Sequence, residues 1–337
     1  MPKPPSQVTP NLFRKLAFES DARLAPIWLR IFPSASGLLI FTFHSLFESE
    51  QEARQGVLDP QQAITTGMFR AFVADFQEHG YRFVSPDQIV AGLHSPGQYA
   101  MITFDDGYAN NLRALPVLEE FGAAAVFCIA ANYVATGKPF WWDVLYREAR
   151  KRSWPGDRIE RERAALKRLR THAAEEQIIS KFGSPAFRTV SDLDRPFTPR
   201  ELAHFARHPL VQIGNHTWNH AILTNYPAHE VCEQIQNAQE SLRKMTGRLP
   251  QVIAYPNGNT STKIVQAARD ASLHLGMTVR PGKNAVPQSL TTRPSLQLRR
   301  YTLWGNRDIA AQCRVARSPL SLQSALTTIR SKVAATA

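Results

Sequence analysis

The stretch AMITFDDG, residues 100–107, decides the fold of this 337-residue chain and indicates its chemistry. Its apolar part, residues 100–104, has the length and composition of a buried strand. Two adjacent carboxylates, Asp105 and Asp106, follow where that strand ends. Charges beside a hydrophobic strand are costly unless they are paired or coordinate a metal. The stretch therefore predicts a functional site at a strand end.

A second run of strand character, VQIG at residues 211–214, leads into the segment NHTWNH at residues 215–220. His216 and His220 stand four residues apart, so they share one face if the segment turns helically. One carboxylate with two such histidines is a ligand set typical of hydrolytic zinc sites, which leave a position open for water. The other carboxylate of the Asp pair is then free to act as a base.

These two segments resemble the TFDDG and H-T-x-x-H motifs of the polysaccharide deacetylase family, also called the NodB homology domain or carbohydrate esterase family four. The resemblance implies that Asp105 is the catalytic base. It also implies that Asp106, His216 and His220 bind a divalent metal, with zinc preferred, and that Thr217 orients the second histidine or its loop.

Two further segments extend the likeness, which runs more loosely from about residue 38 to about residue 306. The segment AYPNG at residues 254–258 looks like the third motif of the family. On this resemblance, backbone N–H groups near Tyr255, together with Asn257, would hold the oxyanion and the substrate. The segment KPFWWD at residues 138–143 also fits, and its paired tryptophans are either a sugar-stacking platform or core anchors.

The chain departs from the family pattern in two places. Many members carry an arginine in the third motif, and many carry a late Leu-x-His whose imidazole is the general acid; neither is in place here. Arg300 is our candidate for the missing guanidinium, because an arginine paired with Asp105 would hold that carboxylate oriented and ionised. The general acid stays open between His44, which some members of the family match with a similar early histidine, and a protonated Asp105.

Seven apolar runs of strand length recur along the chain. They are residues 38–43, 100–104, 123–129, 210–214, 251–255, 275–279 and 296–301. Amphipathic stretches at residues 66–79, 110–121 and 230–245 lie between some of them, and this alternation predicts a parallel α/β sheet. The resemblance implies a distorted (β/α) barrel with about seven parallel strands. Polar candidates follow the strand ends, where such folds place active sites.

The length fits one α/β domain with an insertion or two modest domains, and we favour the first. We expect an N-terminal extension (residues 1–35), a catalytic domain (36–310) and a C-terminal tail (311–337). A highly charged helical insertion, at about residues 144–200, should lie between the third and fourth predicted strands. It is either a solvated excursion or a lid over the active-site face. From Ser318 the tail predicts a short docked helix or a frayed end.

The net charge of +12 comes from two segments of the chain. Residues 144–200 hold 14 Lys/Arg against 8 Asp/Glu, and residues 280–337 hold 10 against 1, which gives +6 and +9 and leaves −3 elsewhere. Such patches favour an anionic partner, such as a membrane surface or a lipid-linked substrate, or else serve solubility. We do not expect nucleic acid, because the basic stretches lack interleaved aromatics and match no DNA-binding motif.

The three cysteines are scattered and read as ordinary buried thiols of a reducing compartment. The best early apolar run, residues 38–43, is too short for a signal segment or a membrane span. The expected location is the cytoplasm, with a peripheral position at the membrane as a further option.

The sequence thus predicts metal-dependent removal of an acetyl group from a sugar or glycan, and the resemblance favours an N-acetyl group. An O-acetyl ester would use the same residues and need a weaker general acid. The same fold and residues would also suit hydrolysis of a small amide, or a catalytically silent glycan-binding protein.

Overall fold

The computed structural model describes residues 9–32, 34, 36–286 and 294–318. Nine strands form one sheet within these residues. They are β1 (Gly37–Phe43), β2 (Arg82–Phe83), β3 (Gln98–Phe104), β4 (Ala125–Ile129), β5 (Val211–Asn215), β6 (Val252–Ala254), β7 (Leu275–Met277), β8 (Ser295–Leu298) and β9 (Tyr301–Thr302).

Helices surround the sheet. The α-helices among the described residues are α1 (Thr9–Ile31), α2 (Glu50–Ala53), α3 (Thr66–Glu78), α4 (Pro86–Ala91), α5 (Leu115–Phe121), α6 (Ala131–Thr136), α7 (Trp141–Lys151), α8 (Gly156–Leu166), α9 (Thr171–Phe182), α10 (Pro199–Phe205), α11 (Ala228–Thr246), α12 (Thr262–Asp270) and α13 (Ile309–Arg317). Short 3-10 helices span Ala109–Ala114, Ser184–Phe187, Leu223–Asn225 and Pro256–Gly258.

The strands run in the order β8-β7-β6-β5-β4-β3-β1-β9, with β2 beside β3, and all these pairs are parallel. The two end strands, β8 and β9, are separated in the chain by Arg299 and Arg300 alone. The edges of the sheet must therefore approach each other, and the sheet curls into a distorted (β/α) barrel. The predicted fold class is confirmed.

The strand count differs from the expected seven for two local reasons. The run at residues 296–301 is broken at Arg299 and Arg300 into β8 and β9. The two-residue strand β2 was not predicted, because Arg82 is exposed and Phe83 only half-buried, so the segment shows no apolar run. The other six predicted runs each contain or overlap an observed strand.

An aromatic cluster packs α3 against β1. Thr65 caps the helix by accepting a hydrogen bond from Met68 N–H. Phe72 and Phe76 then meet Phe41 of β1, with ring centroids 4.7 and 4.8 Å apart. These rings are fully buried, so truncating one to alanine should cost about 3–5 kcal/mol of folding stability. The cluster fixes β1, whose carboxyl end leads into the site.

The insertion lies between β4 and β5, the third and fourth predicted strands, and consists of α7 to α10 with the 3-10 helix Ser184–Phe187. Its position is as predicted, although α7 already begins at Trp141. A buried ion pair holds it together, since Arg147 on α7 donates to Asp194 at 2.6 Å. This insertion is an ordered part of the fold.

The ends of the chain differ from expectation. The helix α1 was not predicted, and it packs against α13. The predicted domain boundary at residue 310 falls inside α13, which also packs on α3. The predicted structure of the tail after Ser318 lies outside the described residues. Within the described ranges, no helix combines the length and apolar character needed to cross a bilayer.

Candidate active site

A cavity of about 480 Å³ opens at the carboxyl ends of the parallel strands. Asp105 and Asp106 follow β3, and the segment with His216 and His220 follows β5; all four line the cavity. Parallel strands bring their carboxyl ends to one edge of the sheet, so residues about a hundred positions apart converge there.

Asp106, His216 and His220 form a compact cluster whose ligand atoms all lie within 4.8 Å of one another. Asp106 Oδ1 is 3.4 Å from His216 Nε2 and 3.3 Å from His220 Nε2. These separations are long, and this buried oxygen accepts no hydrogen bond of normal geometry from the described residues. A buried carboxylate oxygen facing two imidazole nitrogens without a donor fits a divalent cation with nitrogen and oxygen ligands.

The two imidazoles are held in different ways. His216 Nδ1 lies 2.7 Å from Ala254 O, so Nδ1 carries a hydrogen and Nε2 is the nitrogen that faces the cluster. The His220 ring packs on Trp142 at 4.4 Å between centroids. Burial lowers the pKa of His220 to about 3, which keeps that ring neutral and free to coordinate.

The charges of neighbouring side chains set the protonation of His216 and Asp106. Burial lowers the pKa of His216, but the carboxylates of Asp105 and Asp106 outweigh it and the pKa is raised. Burial raises the pKa of Asp106, but its contact with His216 and the nearby His44 and His220 outweigh it and the pKa is lowered. The cluster therefore keeps Asp106 ionised, as a metal ligand requires.

The two histidines do not lie on a helix. The segment after β5 is a loop in which Thr217 and His220 both have left-handed φ, 64° and 51°. Thr217 N–H donates to Asn215 Oδ1 at 2.7 Å, and Thr217 Oγ1 accepts from Ala221 N–H at 2.6 Å. The expected orienting role of Thr217 thus has a structural basis in these two bonds. These side-chain hydrogen bonds, and not a helix, place the His216 and His220 ring centroids 4.7 Å apart.

Asp105 is bound by Arg300 through two hydrogen bonds of 2.8 Å, one to each carboxylate oxygen. Arg300 is itself fixed by donating to Thr278 O and Thr103 Oγ1. Burial raises the pKa of Asp105, but the Arg300 guanidinium outweighs burial and holds that pKa well below its usual range. The sequence-based pairing of Asp105 with Arg300 is therefore present in the structure.

His44 follows β1 and lines the same cavity as Asp105 and Asp106. Its Nδ1 lies 2.8 Å from Oε1 of Gln62. The structure thus brings this candidate general acid to the site. Gln62 was missed, because no motif marks it.

The third-motif segment is only partly in the site. Tyr255 N–H donates to Met277 O at 3.1 Å, and its side chain is buried in the core with Ile264 and Leu273. The amide of Tyr255 itself is thus used by the sheet, and the expectation that N–H groups near Tyr255 stabilise the oxyanion stays a prediction. Asn257 does line the cavity, with left-handed φ of 58°.

The insertion supplies one wall of the cavity. Glu160, Arg163 and Lys167, from α8 and the residue after it, line the opening, and Lys167 Nζ lies 3.3 Å from Asn257 Oδ1. Burial and the neighbouring Arg163 lower the pKa of Lys167. Trp141 and Trp142 are almost fully buried, as core anchors are. The insertion therefore lies over the active-site face, and sequence periodicity gave no signal for Lys167.

Trp304, just after β9, also lines the cavity, with 41% of its surface exposed. Its backbone is clamped by Gln312 of α13, whose Oε1 accepts from Trp304 N–H and whose Nε2 donates to Trp304 O. Sequence reasoning missed it, although an aromatic directly after the last strand of a barrel could have been noticed.

The family model for polysaccharide deacetylase matches residues 93–276, more than half of the 337-residue chain. This range contains both carboxylates and both histidines of the site. The chain therefore belongs to the polysaccharide deacetylase family, a family of enzymes that deacetylate glycans. No curated protein sequence matches it significantly.

Several solved structures share the fold. Streptococcus pyogenes deacetylase PplD, in complex with acetate, has 16% identity and a TM-score of 0.55, covering 84% of this chain and 99% of that one. IcaB from Ammonifex degensii has 16% identity and a TM-score of 0.55, with 85% and 99% covered. The de-N-acetylase from Aggregatibacter actinomycetemcomitans has 13% identity and a TM-score of 0.57, covering 82% of this chain and 99% of that one. At such identities these likenesses show the fold alone.

Proposed function

We propose that this protein is a metal-dependent deacetylase that removes an N-acetyl group from a sugar of a glycan, with zinc as the preferred metal. The observation that carries the proposal is the cluster of Asp106, His216 and His220 beside an ionised Asp105 at the floor of one cavity. Membership of the polysaccharide deacetylase family supports the acetyl group and the glycan.

Asp106, His216 and His220 would hold the metal, which supplies Lewis-acid chemistry when bound, lowering the pKa of a water and polarising the acetyl carbonyl. Asp105 accepts the proton of the attacking water. Because the Arg300 guanidinium keeps its pKa low, Asp105 is in its basic form throughout the neutral range.

The remaining steps need a hydrogen-bond donor for the oxyanion and a general acid for the leaving amine. Asn257 lines the cavity in a left-handed conformation, and we assign its backbone N–H to the developing oxyanion. His44 then donates a proton to the nitrogen of the leaving amine as the C–N bond breaks. Protonation is required because an amine anion is a very poor leaving group.

The rim of the cavity supports a sugar substrate. Trp304 lines the cavity and is partly exposed, and two hydrogen bonds from Gln312 fix its backbone there. Aromatic faces bind the apolar faces of sugar rings while polar groups around them bind hydroxyls. A cavity of about 480 Å³ lies within the range of small-ligand sites.

The test is acetate release measured side by side on N-acetylated oligosaccharides, O-acetylated sugars and small acetamides. The protein is assayed after chelation and again after reloading with zinc. We expect zinc-dependent release that is fastest with the N-acetylated sugars. Faster release from O-acetyl esters would favour the esterase. Stoichiometric zinc without turnover on any of these would favour a silent glycan-binding protein.

We also propose a cytoplasmic location, supported by three free cysteines, of which Cys128 and Cys313 are buried and Cys232 is only half-buried. Subcellular fractionation tests it, and recovery outside the cytoplasm would contradict it.

A further inference from the structure

Gln62, beside the candidate general acid His44, makes hydrogen bonds through its side chain and its backbone. Its side chain is buried, and its Nε2 donates to Thr42 O at 2.7 Å and to Leu303 O at 3.1 Å. Its backbone O accepts from Gly305 N–H at 2.7 Å. Gln62 thus joins the end of β1 to the segment after β9, and a Cβ on Gly305 would overlap Ala63 O, so that approach needs glycine.

These bonds fix the orientation of the Gln62 amide. An amide nitrogen has two hydrogens, and both meet carbonyl oxygens that can only accept. The reverse orientation would place the amide oxygen against the same two carbonyls with no hydrogen between them. Oε1 must therefore face His44 Nδ1, 2.8 Å away.

The orientation of the amide decides which nitrogen of His44 carries a hydrogen. Gln62 Oε1 can only accept, so Nδ1 must donate in both the neutral and the charged ring. A neutral imidazole has one N–H, which leaves Nε2 of His44 as the nitrogen with a free lone pair. Nε2 is then the one position of this ring that can exchange a proton with a reacting group.

We propose that Gln62 is the positioning residue of the general acid: it locks His44 in the Nδ1–H form, so that proton transfer runs through Nε2 alone. This rests on the proposed deacetylation. The protonated His44 gives its Nε2 proton to the amine nitrogen as the C–N bond breaks, and it returns to the neutral Nδ1–H form. The water proton goes to Asp105 and the Nε2 proton goes to the amine, so that amide plus water gives acetic acid plus amine. Proton exchange with the solvent then returns Asp105 and His44 to their starting forms.

A neutral partner suits this task. A carboxylate at Nδ1 would orient the ring equally well, but its charge would stabilise the protonated imidazole and oppose release of the proton. The Gln62 amide orients the ring without adding that charge. Two carboxylates of the cavity, Asp105 and Asp106, already face Arg300 and the two histidines of the cluster.

The first experiment reads the tautomer directly and requires no turnover. The zinc-loaded protein is labelled with ¹⁵N-histidine, and ¹⁵N–¹H correlation spectra are recorded at a pH where His44 is neutral, with His44→Gln for assignment. We expect the hydrogen on Nδ1 in the wild type and in Gln62→Glu, and a loss of that preference in Gln62→Met. A wild-type His44 with its hydrogen on Nε2 would overturn the proposal.

The second experiment separates positioning from structure by the leaving group. An N-acetyl amide needs the acid, whereas an activated aryl acetate leaves without protonation. We expect Gln62→Met to lose about 10- to 100-fold in kcat/KM on the amide, typical of removing a partner that orients a functional imidazole. The aryl ester should be cleaved at close to the wild-type rate.

The matched control is Gln266→Met, a glutamine on the exposed face of α12 away from the cavity, which should change neither rate. Equal losses on amide and ester in Gln62→Met would mean a structural role and would overturn the proposal. If the wild type cleaves no amide at all, the proposed deacetylation fails, and the tautomer measurement still decides whether Gln62 orients His44.

Discussion

Arg300 and Asp105 form a bidentate, fully buried ion pair although 195 residues separate them in the chain. Arg300 lies at the break between β8 and β9, and Asp105 lies at the end of β3, which is separated from β9 by β1. The curled sheet brings the two together. The guanidinium that keeps the proposed base ionised therefore comes from Arg300 and not from the third motif.

Arg300→Leu should shift the acidic limb of the pH–rate profile to higher pH. Asp105 loses the charge that lowers its pKa, so it becomes protonated, and inactive as a base, at a higher pH than in the wild type. The variant should also lose about 3–5 kcal/mol of stability, because a buried charge is left without its partner. The pH profile of kcat/KM and denaturant unfolding measure the two effects. Arg299→Leu, an exposed neighbour, should leave the profile in place, and an unshifted Arg300→Leu profile would refute the role.

Asp105→Asn should keep the metal and lose about 10²–10⁴-fold in turnover, the usual contribution of a general base. The amide has the shape of the carboxylate but cannot take the proton of the attacking water. Metal content and turnover should be measured on the same preparation. Undiminished turnover in the metal-loaded variant would exclude Asp105 as the base.

Replacing Asp106, His216 or His220 singly by alanine should release the metal and abolish deacetylation. Each would supply one of three ligand atoms, and the Asp106 oxygen faces the two imidazole nitrogens without a hydrogen bond of normal geometry from the described residues. The fold should remain, because the ligands follow strand ends. Elemental analysis measures the metal content, and circular dichroism measures whether the fold remains. His229→Ala, whose ring is exposed, is the control, and stoichiometric metal in all three variants would contradict the assignment.

Trp304→Ala should raise KM for N-acetylated oligosaccharides by roughly 2- to 10-fold, since an aromatic contact is worth about 0.5–1.5 kcal/mol. Hydrolysis of a small aryl acetate, which does not reach the rim, should be unaffected. Trp304→Phe should keep most of the affinity, and Leu249→Ala, another exposed apolar residue, should have no effect. Equal KM values for wild type and Trp304→Ala on every oligosaccharide would remove Trp304 from the sugar site.

If the basic surface binds an anionic membrane, sedimentation with vesicles should rise with anionic lipid and fall with salt, because the Debye length shortens from ~10 Å at 0.1 M to ~3 Å at 1 M. Ion pairs use up much of the insertion's charge: eight of its cations pair with carboxylates. They are Arg147, Lys151, Arg152, Arg161, Arg163, Arg170, Lys181 and Arg195.

Arg168 and Arg200 are exposed and take part in none of the ion pairs found among the described residues, so they are the residues to reverse. Arg168→Glu with Arg200→Glu should weaken vesicle binding without changing hydrolysis of a soluble substrate. Equal recovery of the wild type on neutral and anionic vesicles at low salt would show that the charge serves solubility.

The amino-acid sequence predicted the parallel strands, the place of the insertion and the four central candidate residues, and the family resemblance added the barrel. Apolar runs alternating with amphipathic stretches define parallel strands, and such strands carry functional side chains at their carboxyl ends. Asp105, Asp106, His216 and His220 directly follow two of those runs, so local sequence was enough to find them. Arg300 was predicted to pair with Asp105 because the third motif lacks the arginine that many family members carry there.

Only the tertiary structure decided the rest, because those features depend on contacts between distant segments. The break at Arg299 and Arg300 arises where the barrel closes, and no local pattern marks it. The loop that replaces the expected histidine helix is built by side-chain hydrogen bonds from Asn215 and Thr217. Gln62 and Trp304 come to line the cavity through hydrogen bonds between segments far apart in the chain, which residue type and spacing do not encode.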